Sequence, residues 1–378
     1  MASLHSILPG RMRIAHNVWP KTKAAACALF EDQFVYIGTI FAFADRASFE
    51  QLLDEVAHPV NLGDPASCLA HAKYLAILAL GEFYSLNQSR DGGVPGFEYF
   101  AAAVQLLPEM HEQPSIGYVE TLCLIGYFMQ NLNHRTAAFF YVGLAVRMAI
   151  SLGLHENPPA PVDGRPAPTW TEKELEDRRR TWWSVYSMDR ILSVKSGNPL
   201  MIHDEDIGVA MPSRLPSEPP YCPAVALSCY TQLSRILGNI ARLIYRKRSW
   251  SSTLELQQAM KHIVGELDEW LLAIPPELRF DAANVSRESV STMLHFYQCL
   301  NMTVRPFVYT LVQRRLQGPA EDRTRDWREG LSAMTQRIVD MCIDAARRTI
   351  HMMTVSNRYR LGVGETTPFH PAFNLSFS

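Results

Sequence analysis

The stretch Trp170–Pro212, WTEKELEDRRRTWWSVYSMDRILSVKSGNPLMIHDEDIGVAMP, restricts the fold more than any other part of the chain. Thr171 followed three residues later by Glu174 forms a capping box, a helix start. Acidic residues fill the first turn, where they oppose the positive helix end. Trp182, Trp183, Val185, Tyr186, Met188, Ile191, Leu192 and Val194 then fall on nearly every side of the helix. A helix that is apolar almost all round is buried. Asp189 lies on the stripe of Trp182 and Tyr186. A carboxylate there is costly unless it is paired. Arg147, stranded in the apolar helix 137–153, is the expected partner. Gly197-Asn198-Pro199 ends the helix by left-handed capping. The acidic run His203-Asp204-Glu205-Asp206 follows, and a proline-rich loop begins at Pro212.

The rest of the chain repeats helix, short turn, helix. Apolar spacing predicts helices over about 47–56, 66–86, 96–107 and 134–153. Asp45 is a predicted N-cap, and Ser115 caps a helix to about Gln130. Further helices are predicted over 224–246, 253–272, 286–307 and about 326–353, the third continuing past Pro306 through a kink. Polar, glycine-rich or proline-rich loops separate them at 87–96, 157–168 and 212–223. No run of alternating strands interrupts the pattern. The fold class is therefore all-α, with helix-turn-helix pairs packed around a buried central helix. Residues 1–29 read as an irregular segment, 30–355 as one large domain and 356–378 as a polar, truncated tail.

Charge narrows the function classes. Lys plus Arg number 36 against 38 Asp plus Glu, a formal net charge of -2. That argues against a bulk surface that grips nucleic acid, which needs a cationic excess on one face. The seven cysteines are scattered without a CxxC pair. They read as reduced, buried thiols of an intracellular protein rather than metal ligands. The longest apolar stretches, near 69–86 and 137–154, are broken by His71, Lys73, Glu82 and Arg147 and read as core helices, not membrane spans. There is no GxSxG, HExxH, P-loop or GxGxxG. Arg178-Arg179-Arg180 reads as a solvated helix flank with one arginine turned inward. Arg242 with Arg246-Lys247-Arg248 reads as a solvated helix end. His203–Asp206 and His155-Glu156 crowd histidine with carboxylates, as acid–base chemistry would require.

Three segments together carry a resemblance: YVGLAVRMAISLGLHEN at 141–157, ELEDRRRTWWSVYSMDR at 174–190 and SGNPLMIHDEDIGVAMP at 196–212. They resemble the middle homology region of fungal zinc-cluster transcription factors, the fungal-specific transcription factor domain of the xylanolytic activator regulatory-domain type. That family carries an RR-W-WxxY-DR helix, a GxP turn and an IxDxDIDVxxP segment. Arg179, Arg180, Trp182, Trp183, Tyr186, Asp189, Arg190, Gly197, Pro199, Ile202, Asp204, Asp206, Ile207 and Pro212 stand at those positions. Gly208 stands where the family more often has Asp. FYQCLNMTVRPFVY at 296–309 and CIDAARRTI at 342–350 resemble its later helices.

The resemblance implies an all-α regulatory domain of a transcription regulator in the nucleus, with the cytoplasm as the alternative. Arg147, Arg179, Trp182, Tyr186, Asp189, Arg190, Gly197, Pro199, Asp204 and Asp206 then have structural roles. No catalytic, metal or DNA-binding residue is expected. The family's zinc is held by a six-cysteine DNA-binding module without a counterpart here, so no cofactor is expected in this chain. Implied partners are DNA, reached indirectly or through such a module, the transcription machinery or another regulator, a homodimer and a small-molecule effector, with no membrane. The competing reading is an enzyme or biosynthetic accessory protein that retained the fold and lost DNA binding.

Overall fold

Helix starts follow the caps written in the sequence. Asp45 accepts from the Ser48 amide at 2.7 Å, and the Ser48 hydroxyl closes the reciprocal bond. Asp64 caps a helix whose first residue is Pro65, where a missing N–H costs nothing. Thr171 and Glu174 close the expected capping box. Replacing Thr171 with alanine should lower stability by about 1 kcal/mol, read from the shift in urea midpoint. In this computed structural model the described residues are 22–85, 93–107, 114–158, 170–246, 253–281, 285–318, 326, 329 and 332–358. Residues 1–21, most of the loops at 87–96 and 157–168, Lys247 and Arg248, and the tail from 359 lie outside them.

Eleven α-helices and no strand occur among the described residues. They are α1 (Lys23–Gln33), α2 (Arg46–Glu55), α3 (Pro65–Tyr84), α4 (Phe97–Leu106), α5 (Ile116–Asn131), α6 (Arg135–Ser151), α7 (Glu172–Ser196), α8 (Pro223–Ile240), α9 (Thr253–Ala273), α10 (Arg287–Gln317) and α11 (Ala333–Arg358). The helix α1 begins inside the segment predicted to be irregular, because Thr22 caps it through the Ala25 amide. The chain divides into two compact units, one up to Thr231 and one from Gln232.

In the first unit α3 is the hub, packed on α1, α4 and α5. Tyr74, Leu75, Ile77, Leu78 and Leu80 are all buried on it. Gly81 is where α3 meets α1 most closely, since an added Cβ would run into the Leu29 backbone. Gly81→Ala should therefore destabilise by about 1–3 kcal/mol, seen as a lower thermal midpoint. Aromatic pairs close the layer. Phe30 stacks on Phe49 and Tyr36 on Tyr84, each at 4.2 Å, and Phe100 stacks on Phe128 at 4.7 Å. The α5–α6 pair then packs against α7. Along α7 every residue from Thr181 to Ser193 is buried, the central strut that its composition requires.

In the second unit α10 packs on α9 and α11, with Trp270 stacked on Phe296. The helix α10 runs unbroken for 31 residues through Pro306. Proline supplies no N–H to the carbonyl four residues earlier. That carbonyl, on Met302, instead accepts the Tyr245 hydroxyl at 2.9 Å. Tyr245 ends the π-helical turn Ala241–Tyr245, so the predicted helix 224–246 is α-helical only to Ile240. Tyr245→Phe should lose about 1 kcal/mol of stability by removing that hydrogen bond, measurable by denaturant titration.

Candidate functional site

The buried charges of α7 form two clusters, one at each end. Near its start, Glu176 is 1 % exposed. Its carboxylate accepts from Arg179, from Arg180 Nε at 3.0 Å, and from the backbone and hydroxyl of Ser213 at 2.7 and 3.0 Å. Arg180 also forks onto both Glu218 oxygens at 2.8 and 2.7 Å and donates to the Ser213 carbonyl. Arg178 donates to the Leu152 carbonyl at 3.1 Å and lies over the Trp170 ring. All three arginines are thus engaged within the fold, and the solvated flank predicted for this run is corrected. The cause is that Glu176, one turn earlier on the same helix, is buried and requires cations.

The Arg180 fork holds the Glu218 carboxyl below its usual range. Such a depressed acid contributes stability that is present above its unfolded value, about 4.3, and lost as pH falls through the folded value. Glu218→Gln should therefore flatten the stability–pH curve below that point, measured by urea titration at a series of pH values.

At the far end Asp189 is 2 % and Arg190 1 % exposed. Arg190 Nη1 lies 3.3 Å from Asp189 Oδ2. Its Nη2 donates to Asp204 Oδ1 at 2.8 Å and to the Ile202 carbonyl at 2.7 Å. The guanidinium also lies over the Tyr186 ring, whose hydroxyl donates to Asp204 at 2.7 Å. Asp189 further accepts from the Ser193 hydroxyl and the Met201 amide. Burial raises the Asp189 carboxyl, opposed by Arg190 and by these donors.

The expected Asp189–Arg147 pair is overturned. Arg147 is exposed and turns its guanidinium back onto the Gly143 carbonyl at 3.3 Å. The exit segment, folding back along α7, supplies the compensation instead. Gly197 makes that reversal in the left-handed region at φ 69°, with the Asn198 amide bonded to the Ser193 carbonyl, and the exposed Pro199 follows. Of the acidic run only Asp204 joins the cluster, while His203, Glu205 and Asp206 are exposed.

The exit segment is clasped along its length. Trp183 Nε1 donates to the Ala210 carbonyl at 2.7 Å, and the His155 carbonyl accepts the Gly208 and Val209 amides. His155 thereby serves through its backbone, with its ring 5.6 Å from that of the fully buried Trp182. Asp204 and Glu176 are occupied by donors, an arrangement that fixes chain position. No group of three or more His, Cys, Asp or Glu side chains able to hold a metal occurs among the described residues.

A cleft of about 360 Å³ opens beside the start of α7. Its lining includes Phe34, Ile40, Phe41 and Phe43. It also carries Lys73, Glu120, Lys173, Asp177 and Thr181. Lys73 Nζ meets Glu120 Oε2 at 2.6 Å with the side chains only 15 % and 14 % exposed. Lys173 meets Asp177 at 2.7 Å at the exposed rim. Burial raises the Glu120 carboxyl, opposed by Lys73. Sequence reading did not single out this pair. The available signal was two opposite charges, Lys73 in a mostly apolar helix and Glu120 as the one charged residue of its own.

The model of the fungal specific transcription factor domain matches residues 34–272. An uncharacterized transcriptional regulatory protein of Schizosaccharomyces pombe is 25 % identical over 294 residues, 74 % of this chain and 34 % of its own length. The thiamine repressible genes regulatory protein of the same yeast is 25 % identical over 288 residues, covering 74 % and 35 %. Activator of stress genes 1 of Saccharomyces cerevisiae is 24 % identical over 315 residues, covering 76 % and 32 %. The chain thus spans about a third of the length of these relatives. No solved structure matches. With its α7 strut and clasped exit segment inside the matched region, this chain belongs to the fungal-specific transcription factor domain family.

Proposed function

We propose that this chain is the regulatory domain of a nuclear transcription regulator. It acts at DNA through a DNA-binding module or a partner rather than through its own surface. The family match across α7 and its exit segment supports this reading most directly. The near-neutral formal charge of -2 accords with it, because a free-standing DNA-binding surface requires clustered cations. The cleft beside α7 is the proposed entry point for a small-molecule effector, since concave sites with an apolar wall and a few polar groups are where small ligands bind. Its lining residues come from α2, α3, α5, α7 and α8, so an occupant contacts several helices at once.

The test joins the chain to an unrelated DNA-binding module in a yeast reporter strain. The expected result is altered reporter expression that is lost in the Arg190→Met variant. Unaltered expression from a folded, nuclear fusion would overturn the reading.

A further inference from the structure

We propose that the cleft is a site for a small zwitterion carrying an apolar group, the chemistry of an apolar α-amino acid. This rests on the effector reading and specifies its ligand class. The charged wall alternates in sign. Lys73 and Glu120 form the floor, and Lys173 and Asp177 the rim. Asp45 lines the same space and feels the positive charge of both lysines. The Thr181 hydroxyl touches Glu120 at 3.4 Å. Phe34, Ile40, Phe41 and Phe43 also line the space, Phe34 alone of them with a partly exposed side chain.

Such a wall discriminates by charge pattern. A lone anion that gains Lys73, Lys173 or Arg180 also meets Asp45, Glu120, Asp177 and Glu218. A lone cation meets the reverse. A zwitterion exchanges partners with an existing pair, carboxylate to lysine and ammonium to carboxylate, and leaves no desolvated charge uncompensated. A purely structural Lys73–Glu120 pair would be sealed between α3 and α5. Instead both residues open onto the cleft. Its volume lies within the range of roughly 300–1,000 Å³ that holds small molecules, and the apolar group lies at the Phe34 end of the lining.

Calorimetric titration of the full chain tests this with four probes: L-phenylalanine, L-leucine, 3-phenylpropionate and phenethylamine. The amino acids are expected to bind saturably at one site. L-phenylalanine should bind at least about tenfold more tightly than either singly charged analogue, each of which leaves one cleft charge unmatched. Lys73→Met should abolish binding. Because that change touches a largely buried pair, Lys173→Ala and Asp177→Ala at the exposed rim serve as fold-neutral variants, and each should weaken binding several-fold. Absence of amino-acid binding, equal binding of the singly charged analogues, or indifference to the rim variants would overturn the zwitterion site. Binding of a singly charged probe alone would overturn the ligand class while leaving an effector cleft. The reporter experiment fails or succeeds independently of all these titrations.

Discussion

Replacing Arg190 with methionine should destabilise the chain by about 3–5 kcal/mol, the usual result of removing one partner from a buried ion pair. Methionine has a comparable reach, so the loss is chiefly of charge and hydrogen bonds rather than volume. The substitution removes the donor to Asp204 and to the Ile202 carbonyl and leaves Asp189 with only Ser193 and the Met201 amide. It also removes the cation from the face of Tyr186. Urea titration with an unchanged slope would assign the shift to stability rather than to a more compact unfolded state. Adding Asp189→Asn should recover part of the loss, because the stranded carboxylate is then neutral. A shift within the roughly 0.5 kcal/mol seen for ordinary surface substitutions would contradict the buried-pin reading.

Glu176→Ala is the second large effect, on the order of 3 kcal/mol, because it removes the buried carboxylate that accepts from Arg179, Arg180 and Ser213. Arg180 keeps Glu218, so Arg179 and the Ser213 amide and hydroxyl lose most. Glu176→Gln should cost less, since one acceptor oxygen remains. The two variants therefore separate the loss of charge from the loss of shape, again by denaturant midpoint. Opening of the 213–218 loop should accompany the alanine change, read as faster proteolysis there.

Helix positions were legible because caps and apolar periodicity are local. Asp45, Ser115 and Thr171 each begin a helix where the sequence places them. The burial of α7 and the need to pair Asp189 were legible too. The partner was not. Arg147 and Asp189 both look stranded in sequence, but side-chain direction on α6 turns Arg147 to solvent. Compensation comes from the next residue and from a segment reversing at Gly197, which is a matter of tertiary path. The arginine run was misread for the same reason, because the demand of Glu176 appears only once Ser213 and Glu218 fold back onto it. The Lys73–Glu120 floor joins helices 47 residues apart, a non-local pairing that periodicity does not encode.

The buried charges of α7 hold the exit segment in place, and amide hydrogen exchange across residues 198–218 measures this directly. Slow exchange is expected at Met201, Gly208, Val209 and Ser213, whose amides bond to Asp189, the His155 carbonyl and Glu176. Arg190→Met should speed exchange at Met201 with Ser213 still protected, and Glu176→Ala should do the reverse. Fast exchange throughout the segment in the unaltered chain, or protection indifferent to both substitutions, would contradict it.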